Sequence, residues 1–227
     1  MLPGAPIGCT GCWRPRRARL HGCRHTRVMR RVAGTVVVVV SAAAAARVLY
    51  RRVVAGDISV DLRVGRSVRP LGPLTVTIDA PRSIVWEVVS SPYLGRLPGS
   101  QRDKIEVLER GRDLVVAAHR TWVSRDLVAT TVESVRFEEP DTVTFRLLRG
   151  PVPYVGETFS LGDGDGVTRL EYRGELGTDL WWVGRWWGAL VARKWEQTVE
   201  TSMGQIRDRS EERASRHRGR GASTPST

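Results

Sequence analysis

The 227-residue chain has no asparagine and only two lysines, Lys104 and Lys194, so 34 of its 36 basic residues are arginine. Beside abundant Ala, Val and Gly, that bias reflects GC-rich coding rather than chemistry. Cysteine is absent after residue 23: the three present are Cys9, Cys12 and Cys23. No disulfide framework can hold a domain downstream, which must fold on packing alone. Acidic residues are absent from the first 28 positions. Between 71 and 213 there is no Ser–His–Asp arrangement, no paired carboxylates at one place, no metal-ligand cluster and no phosphate-cradling glycine loop. Neither a metal nor a cofactor is expected.

The net charge of +12 suggests nucleic acid until its position is considered. Residues 71–204 hold 16 Lys+Arg against 19 Asp+Glu, so the basic excess belongs to the two ends. A nucleic-acid groove in the folded part loses its main support, and no nucleic-acid partner is expected.

Residues 1–28 are rich in Arg, Pro, Gly, Cys and His without an apolar period, which marks a disordered or untranslated leader. Cys9-x-x-Cys12 with His21, Cys23 and His25 offers zinc-type ligands, but structural sites use two compact pairs bracketing a foldable segment. Met29-Arg30-Arg31 ahead of an apolar run resembles the start of a signal or anchor sequence. The run 32–46 is uncharged, and tolerating Arg47 by snorkelling extends it to Tyr50. Residues 29–52 are therefore expected to be a membrane anchor, giving a membrane-associated protein with one N-terminal span. The alternative is a cleaved signal peptide and a secreted domain, since Ala44-x-Ala46 fits a cleavage site. Arginines on both flanks leave the orientation open.

Residues 53–70 read as a linker, and Pro70, Gly72 and Pro73 punctuate the start of a domain expected over 71–213. Leu74-Thr75-Val76-Thr77-Ile78 alternates as a half-buried strand does. Asp79-Ala80-Pro81 then opens a short helix carrying Ile84, Val85, Val88 and Val89, which Pro92 is expected to stop. Six more strands are predicted at 105–110, 114–122, 127–137, 143–148, 154–161 and 167–176, with turn residues in most of the gaps. Gly162-Asp163-Gly164-Asp165-Gly166 is taken as a hairpin loop rather than a calcium-binding turn. A long helix from Trp181 to about Arg213 follows, and 214–227 reads as a disordered basic tail.

The wording of the domain adds a resemblance. Thr75 to Trp86 (TVTIDAPRSIVW), Val135 to Arg146 (VRFEEPDTVTFR) and Asp165 to Tyr172 (DGVTRLEY) resemble the first strand and helix, an acidic-Pro turn between strands, and the last hairpin of START-like (SRPBCC) proteins. The likeness is to polyketide cyclase/dehydrase and lipid-transport members, and it covers about 140 residues by packing and turn signatures. It implies an α+β helix-grip (START/Bet v 1-like) fold, in which a curved antiparallel sheet of about seven strands wraps a long C-terminal helix. It also implies a cavity between sheet and helix for an apolar small molecule such as a lipid, quinone, isoprenoid or polyketide.

Trp86, Trp122, Phe145, Phe159, Tyr172, Trp182 and Trp186 are the candidate cavity wall. The pairs Trp181-Trp182 and Trp186-Trp187 cannot all face one core, so some must line a mouth or an interface. Glu157 shares a strand face with Val155, Phe159 and Leu161. If that face points inward, its carboxyl sits in apolar surroundings that raise its pKa, whereas a bulge or pairing with Arg146 would keep it ordinary. His119 shares parity with Val115, Ala117, Thr121 and Val123, a placement more usual for a structural histidine. Three functions follow. A non-enzymatic binding or transfer module is favoured, a cyclase, aromatase or dehydratase using Glu157 or His119 for proton transfer is the alternative, and a ligand-free interaction or stress-response domain is the third.

Overall fold

The computed structural model describes residues 23–95 and 103–221, with side chains over 35–95 and 103–219. The chain divides into two compact units, one up to Arg47 and one from Val48 onward. Cys9, Cys12 and His21 lie outside the described residues, as do the side chains of Cys23 and His25.

Helix α1 (Cys23–Val54) holds the expected anchor. Among the described residues no helix is long and apolar enough to cross a membrane. Its uncharged stretch, 32–46, rises only about 22 Å at about 1.5 Å per residue, short of the roughly 30 Å hydrocarbon core. The residues meant to lengthen it are committed elsewhere. Tyr50 meets Trp187 edge-on with ring centroids 6.0 Å apart, and Val54 is buried. The expected span over 29–52 and the membrane-associated location are thereby overturned, and the expected membrane partner loses its basis. Helix α1 ends in a Schellman arrangement: Asp57 N–H donates to the Arg52 carbonyl, Gly56 N–H to that of Val53, and Gly56 adopts a φ of 77°.

The second unit is a seven-stranded antiparallel sheet with two helices. In chain order the elements are β1 (Ser67–Ile78), α2 (Arg82–Leu94), β2 (Ile105–Arg110), β3 (Leu114–Ser124), β4 (Leu127–Glu138), β5 (Thr142–Arg149), β6 (Tyr154–Gly164), β7 (Val167–Thr178) and α3 (Trp181–Gly221). The strand order is β1-β7-β6-β5-β4-β3-β2, so the chain's first strand closes beside its last and every other neighbour is a hairpin partner. Period-two burial explains the hairpins: along β6, Val155, Glu157, Phe159 and Leu161 are buried while the residues between them are half-buried or exposed.

The structure departs from the expected boundaries in three places. β1 begins at Ser67, inside the expected linker, because Ser67 to Leu71 pair with Thr178 to Gly174 before a bulge between Leu71 and Leu74. Pro70 hid this stretch, but β1 is an edge strand, where a missing N–H breaks no ladder. At the bulge Gly72 has a φ of 77° and donates its N–H to Glu196 Oε1 at 3.0 Å. Second, α2 continues through Pro92 to Leu94. The Val88 carbonyl, which Pro92 cannot satisfy, accepts from the Ser91 hydroxyl at 3.2 Å. Third, α3 runs to Gly221, so residues 214–221 extend the helix where a tail was expected, and 222–227 lie outside the described residues. Its buried stripe is Ala192, Val199, Met203, Ser210 and Ala214, and the small residues closing it do not register as apolar period. α3 packs on β1, β7 and α2.

Candidate functional site

Alternate residues of β3 to β7 face the core, and register sets them in rows across the sheet. Ala117 opposes Glu133, which opposes Leu147, while Val135 opposes Phe145 and Phe145 opposes Glu157. Phe159 opposes Tyr172, and Glu157 opposes Gly174. The two acids thus share the inner face with only β5 between their strands. Tyr93 reaches the same region from the last turn of α2, and Trp195 from α3.

An aromatic row crosses this interior. Tyr93 and Phe145 have ring centroids 5.7 Å apart, Phe145 and Phe159 5.6 Å, and Phe159 and Tyr172 5.1 Å. Polar side chains bracket the row. Tyr93 Oη lies 3.0 Å from His119 Nε2, and His119 Nδ1 lies 3.0 Å from Glu133 Oε2. The Thr131 hydroxyl donates to Glu133 Oε1 at 2.7 Å. At the other end Glu157 Oε2 accepts from Tyr172 Oη and from Trp195 Nε1, each at 2.7 Å. Both carboxylates are buried, while the His119 side chain keeps 18% of its surface exposed.

The titration of these groups follows from burial and from each other. Burial pulls the His119 imidazole down, but the charge and hydrogen bond of Glu133, aided by Glu157, outweigh it and hold His119 above its ordinary value. Burial alone would push Glu133 up, yet His119 and the Thr131 hydroxyl keep it below the usual carboxylate range. Among the described residues no cation contacts Glu157, and burial followed by the charge of Glu133 raises it to about 7, against the hydrogen bonds of Tyr172 and Trp195. Burial, then Glu133 and Glu157, lifts the Tyr93 phenol well above its normal value. The site therefore holds an imidazole–carboxylate pair, each partner favouring the other's charged form, beside a carboxyl that changes charge near neutral pH.

Of the residues singled out from sequence, Trp86, Phe145, Phe159 and Tyr172 are buried in the core, and His119 and Glu157 face the interior. Trp122, Trp182 and Trp186 do not belong to the wall. Trp122 takes the outward parity of Ala118 and Arg120, and Trp182, 71% exposed, shares with Trp186 a helix face away from the buried stripe of α3. Trp187 and Trp195 turn inward instead, their indole N–H groups donating to the Pro151 carbonyl and to Glu157. Sequence reasoning missed Tyr93, which follows the proline where the helix was expected to stop. It missed Glu133 as well, although Thr131, Glu133, Val135 and Phe137 alternate as one strand face. The statement that no carboxylates pair at one place is corrected: Glu133 and Glu157 are 24 residues apart and converge only in the sheet.

A depression of about 480 Å³ lies on the outer side of the sheet, where Arg51, Arg52 and Asp57 face Arg120 and Asp126. Its charges are largely paired, Arg52 with Asp57 at 3.1 Å and Arg51 with Asp126 at 3.8 Å.

No protein-family model matches the chain, and no curated protein matches it in sequence. Solved structures do match it in shape. An aromatase/cyclase, Zhui from Streptomyces sp. R1128, superposes with a TM-score of 0.55 at 17% identity, over 65% of this chain and 96% of its own. The chain has the helix-grip fold. Norcoclaurine synthase from Thalictrum flavum, solved with dopamine and hydroxybenzaldehyde, gives a TM-score of 0.50 at 13% identity, over 68% of this chain and 92% of its own. At such identities the likeness concerns the helix-grip architecture, and the chemistry rests on this chain's own side chains.

Proposed function

We propose that the helix-grip domain binds or transfers an apolar small molecule of the lipid, quinone, isoprenoid or polyketide kind, held on the inner face of the sheet. The observation that carries this reading is the row from Tyr93 through Phe145 and Phe159 to Tyr172, bracketed by polar groups of which the His119 side chain is partly exposed. Apolar walls with a few placed polar groups are the usual make-up of a small-molecule site. The charged form of Glu157 is costly to stability, since the carboxyl is buried and no ion-pair partner contacts it among the described residues. Ligand-binding proteins of this fold are consistent with the reading, as the norcoclaurine synthase complex illustrates.

The test is native mass spectrometry with lipid extraction on the full chain purified from its natural host. A stoichiometric apolar metabolite supports the reading. A protein that arrives empty and refuses quinones, isoprenoids and fatty acyl chains overturns it in favour of a packed interaction domain.

The second reading is a cyclase- or dehydratase-type enzyme, and one observation favours it. Glu157 changes charge near pH 7 beside the His119–Glu133 pair, which suits proton transfer and is not required for binding. Catalysed exchange of the α-protons of a bound ketone, lost in Glu157→Gln, would support it, and exchange at the uncatalysed rate would remove it.

A further inference from the structure

Tyr93, His119 and Glu133 come from three separate elements, α2, β3 and β4, and their polar atoms form one line. Glu133 divides its oxygens between Thr131 and His119, so the acid is fully engaged. Nδ1 of His119 serves Glu133 and Nε2 serves Tyr93, which fixes the ring from both sides. Arg110 donates to the Tyr93 backbone carbonyl and holds the end of α2 on β2. The phenol ends the line. Its ring touches Phe137 and Phe145, with centroids 5.8 and 5.7 Å away, so its oxygen stands at the boundary between the polar line and the aromatic row.

Nδ1 faces the buried carboxylate of Glu133, whose partner across the pair is this ring; when the imidazole carries both protons Nε2–H points at the phenol oxygen, and the phenol O–H is released for a further acceptor. Among the described residues Tyr93 Oη has His119 as its hydrogen-bond partner, so that acceptor is not supplied by their side chains. A phenol that accepts from a cation also becomes a stronger donor, because successive hydrogen bonds polarise one another. Three further side chains thus support one phenol, an arrangement that fixes a donor rather than fills space.

We propose that Tyr93, positioned by His119 and Glu133, is the anchor for a carbonyl oxygen on the apolar ligand, so that the site selects ketones or quinones over hydrocarbons of the same shape. Tyr93 touches the ligand, whereas His119 and Glu133 act through it. The inference rests on the binding reading above and adds the chemical class of the ligand.

The experiment compares two probes of matched shape, 2-acetylnaphthalene and its carbon isostere 2-isopropenylnaphthalene, on the full chain and on Tyr93→Phe. The ketone should bind the wild-type protein at least about tenfold more tightly, the usual size of a buried hydrogen bond lost on one side. Tyr93→Phe should abolish that preference while leaving the isostere's affinity in place. Should Tyr93→Phe not fold, the infrared carbonyl stretch of ¹³C=O-labelled ketone on the wild-type protein decides. A shift to lower frequency than in hexane, partly reversed in Glu133→Gln, supports the anchor, and a hexane-like frequency overturns it. Equal binding of both probes to the wild-type protein overturns the anchor and leaves the binding reading standing. If neither probe binds, the anchor falls, and the lipid-extraction experiment above decides the binding reading separately.

Discussion

Glu157 shows how a single side chain can set the pH dependence of the whole protein. Its folded value of about 7 exceeds the roughly 4.3 of an unfolded glutamate, so between those limits folding takes up a proton and stability falls as pH rises. Glu157→Gln keeps an acceptor for Tyr172 and Trp195 without the charge. It should raise stability by about 2–3 kcal/mol at pH 8 and by little at pH 5, measured by urea unfolding at both. A variant less stable at pH 8 would show that the ionised form is the native one. The two members of the His119–Glu133 pair act in opposite directions, the imidazole in the same sense as Glu157 and the carboxyl against it. The raised imidazole contributes stability that is fully present below its unfolded value and is lost as pH rises through the folded one. The lowered carboxyl contributes above the ordinary glutamate range and is lost as pH falls through its own folded value. Glu133→Gln leaves the imidazole with burial as its main perturbation. The variant should lose about 3 kcal/mol near pH 6, and the His119 proton resonances should titrate below the ordinary histidine value. An unchanged titration would show that Glu133 does not set the charge on His119. In the sequence Glu157 was visible as an acid among Val155, Phe159 and Leu161, because period-two alternation within one strand is local. Its bonds to Tyr172 and Trp195 were not visible, since they depend on strand register and on the placement of α3.

At the scale of elements, two junctions carry more than their sequences suggest. Asp179, between β7 and α3, accepts the backbone N–H groups of Leu62 and Arg63 at 2.7 and 2.9 Å and the Arg66 guanidinium at 2.8 Å. The Arg66 hydrogen bond, opposed by burial and helped by the two backbone donors, holds this carboxyl below its normal value. Asp179 thus ties down the segment between α1 and β1, beside the Leu180 and Trp181 N–H groups that donate to the Val64 and Gly65 carbonyls. Asp179→Ala should speed hydrogen exchange at Leu62 and Arg63 while the amides of β5 and β6 keep their protection. Equal loss across the sheet would mean that Asp179 supports the fold as a whole. The second junction is the pairing of β7 with β6 at Gly174, opposite Glu157. A Cβ there would lie 3.0 Å from Glu157 Cβ and 3.1 Å from Tyr172 Oη. Gly174→Ala should therefore cost about 1–3 kcal/mol and displace the Tyr172–Glu157 hydrogen bond, read as a changed pH profile of stability. Strand positions were largely legible because each hairpin carries its own alternation and turn residues. The exceptions, the early start of β1, the passage of α2 through Pro92 and the late end of α3, are stabilised by partners distant in sequence.

For the whole molecule, the boundary of the folded unit is the quantity to test. The sequence pointed to residue 71, where Pro and Gly end a stretch without periodicity. The structure begins the unit at Val48, with Tyr50 on Trp187, Val54 buried and Ser67 to Leu71 paired with β7. A protein starting at Val48 should match the full chain's melting temperature, whereas one starting at Leu71 should fall several degrees or more, at roughly 4 °C per kcal/mol for a domain of this size. Equal melting temperatures for the two would show that the segment from 48 to 70 adds nothing to stability.

What the sequence determined by itself was the class of the molecule. Alternation, turn chemistry and one long terminal helix are local signals, and together they are compatible with few arrangements, of which the helix grip is one. The tertiary structure decided which side chains meet. Tyr93, His119, Glu133 and Glu157 stand on four different elements, and hydrogen-bond register together with the packing of α2 and α3 brings them to one place. The same long-range packing drew Tyr50 and Val54 into the domain and left Trp122, Trp182 and Trp186 on its surface. A sequence states the period of each element but not its angle to the others, and the site depends on those angles.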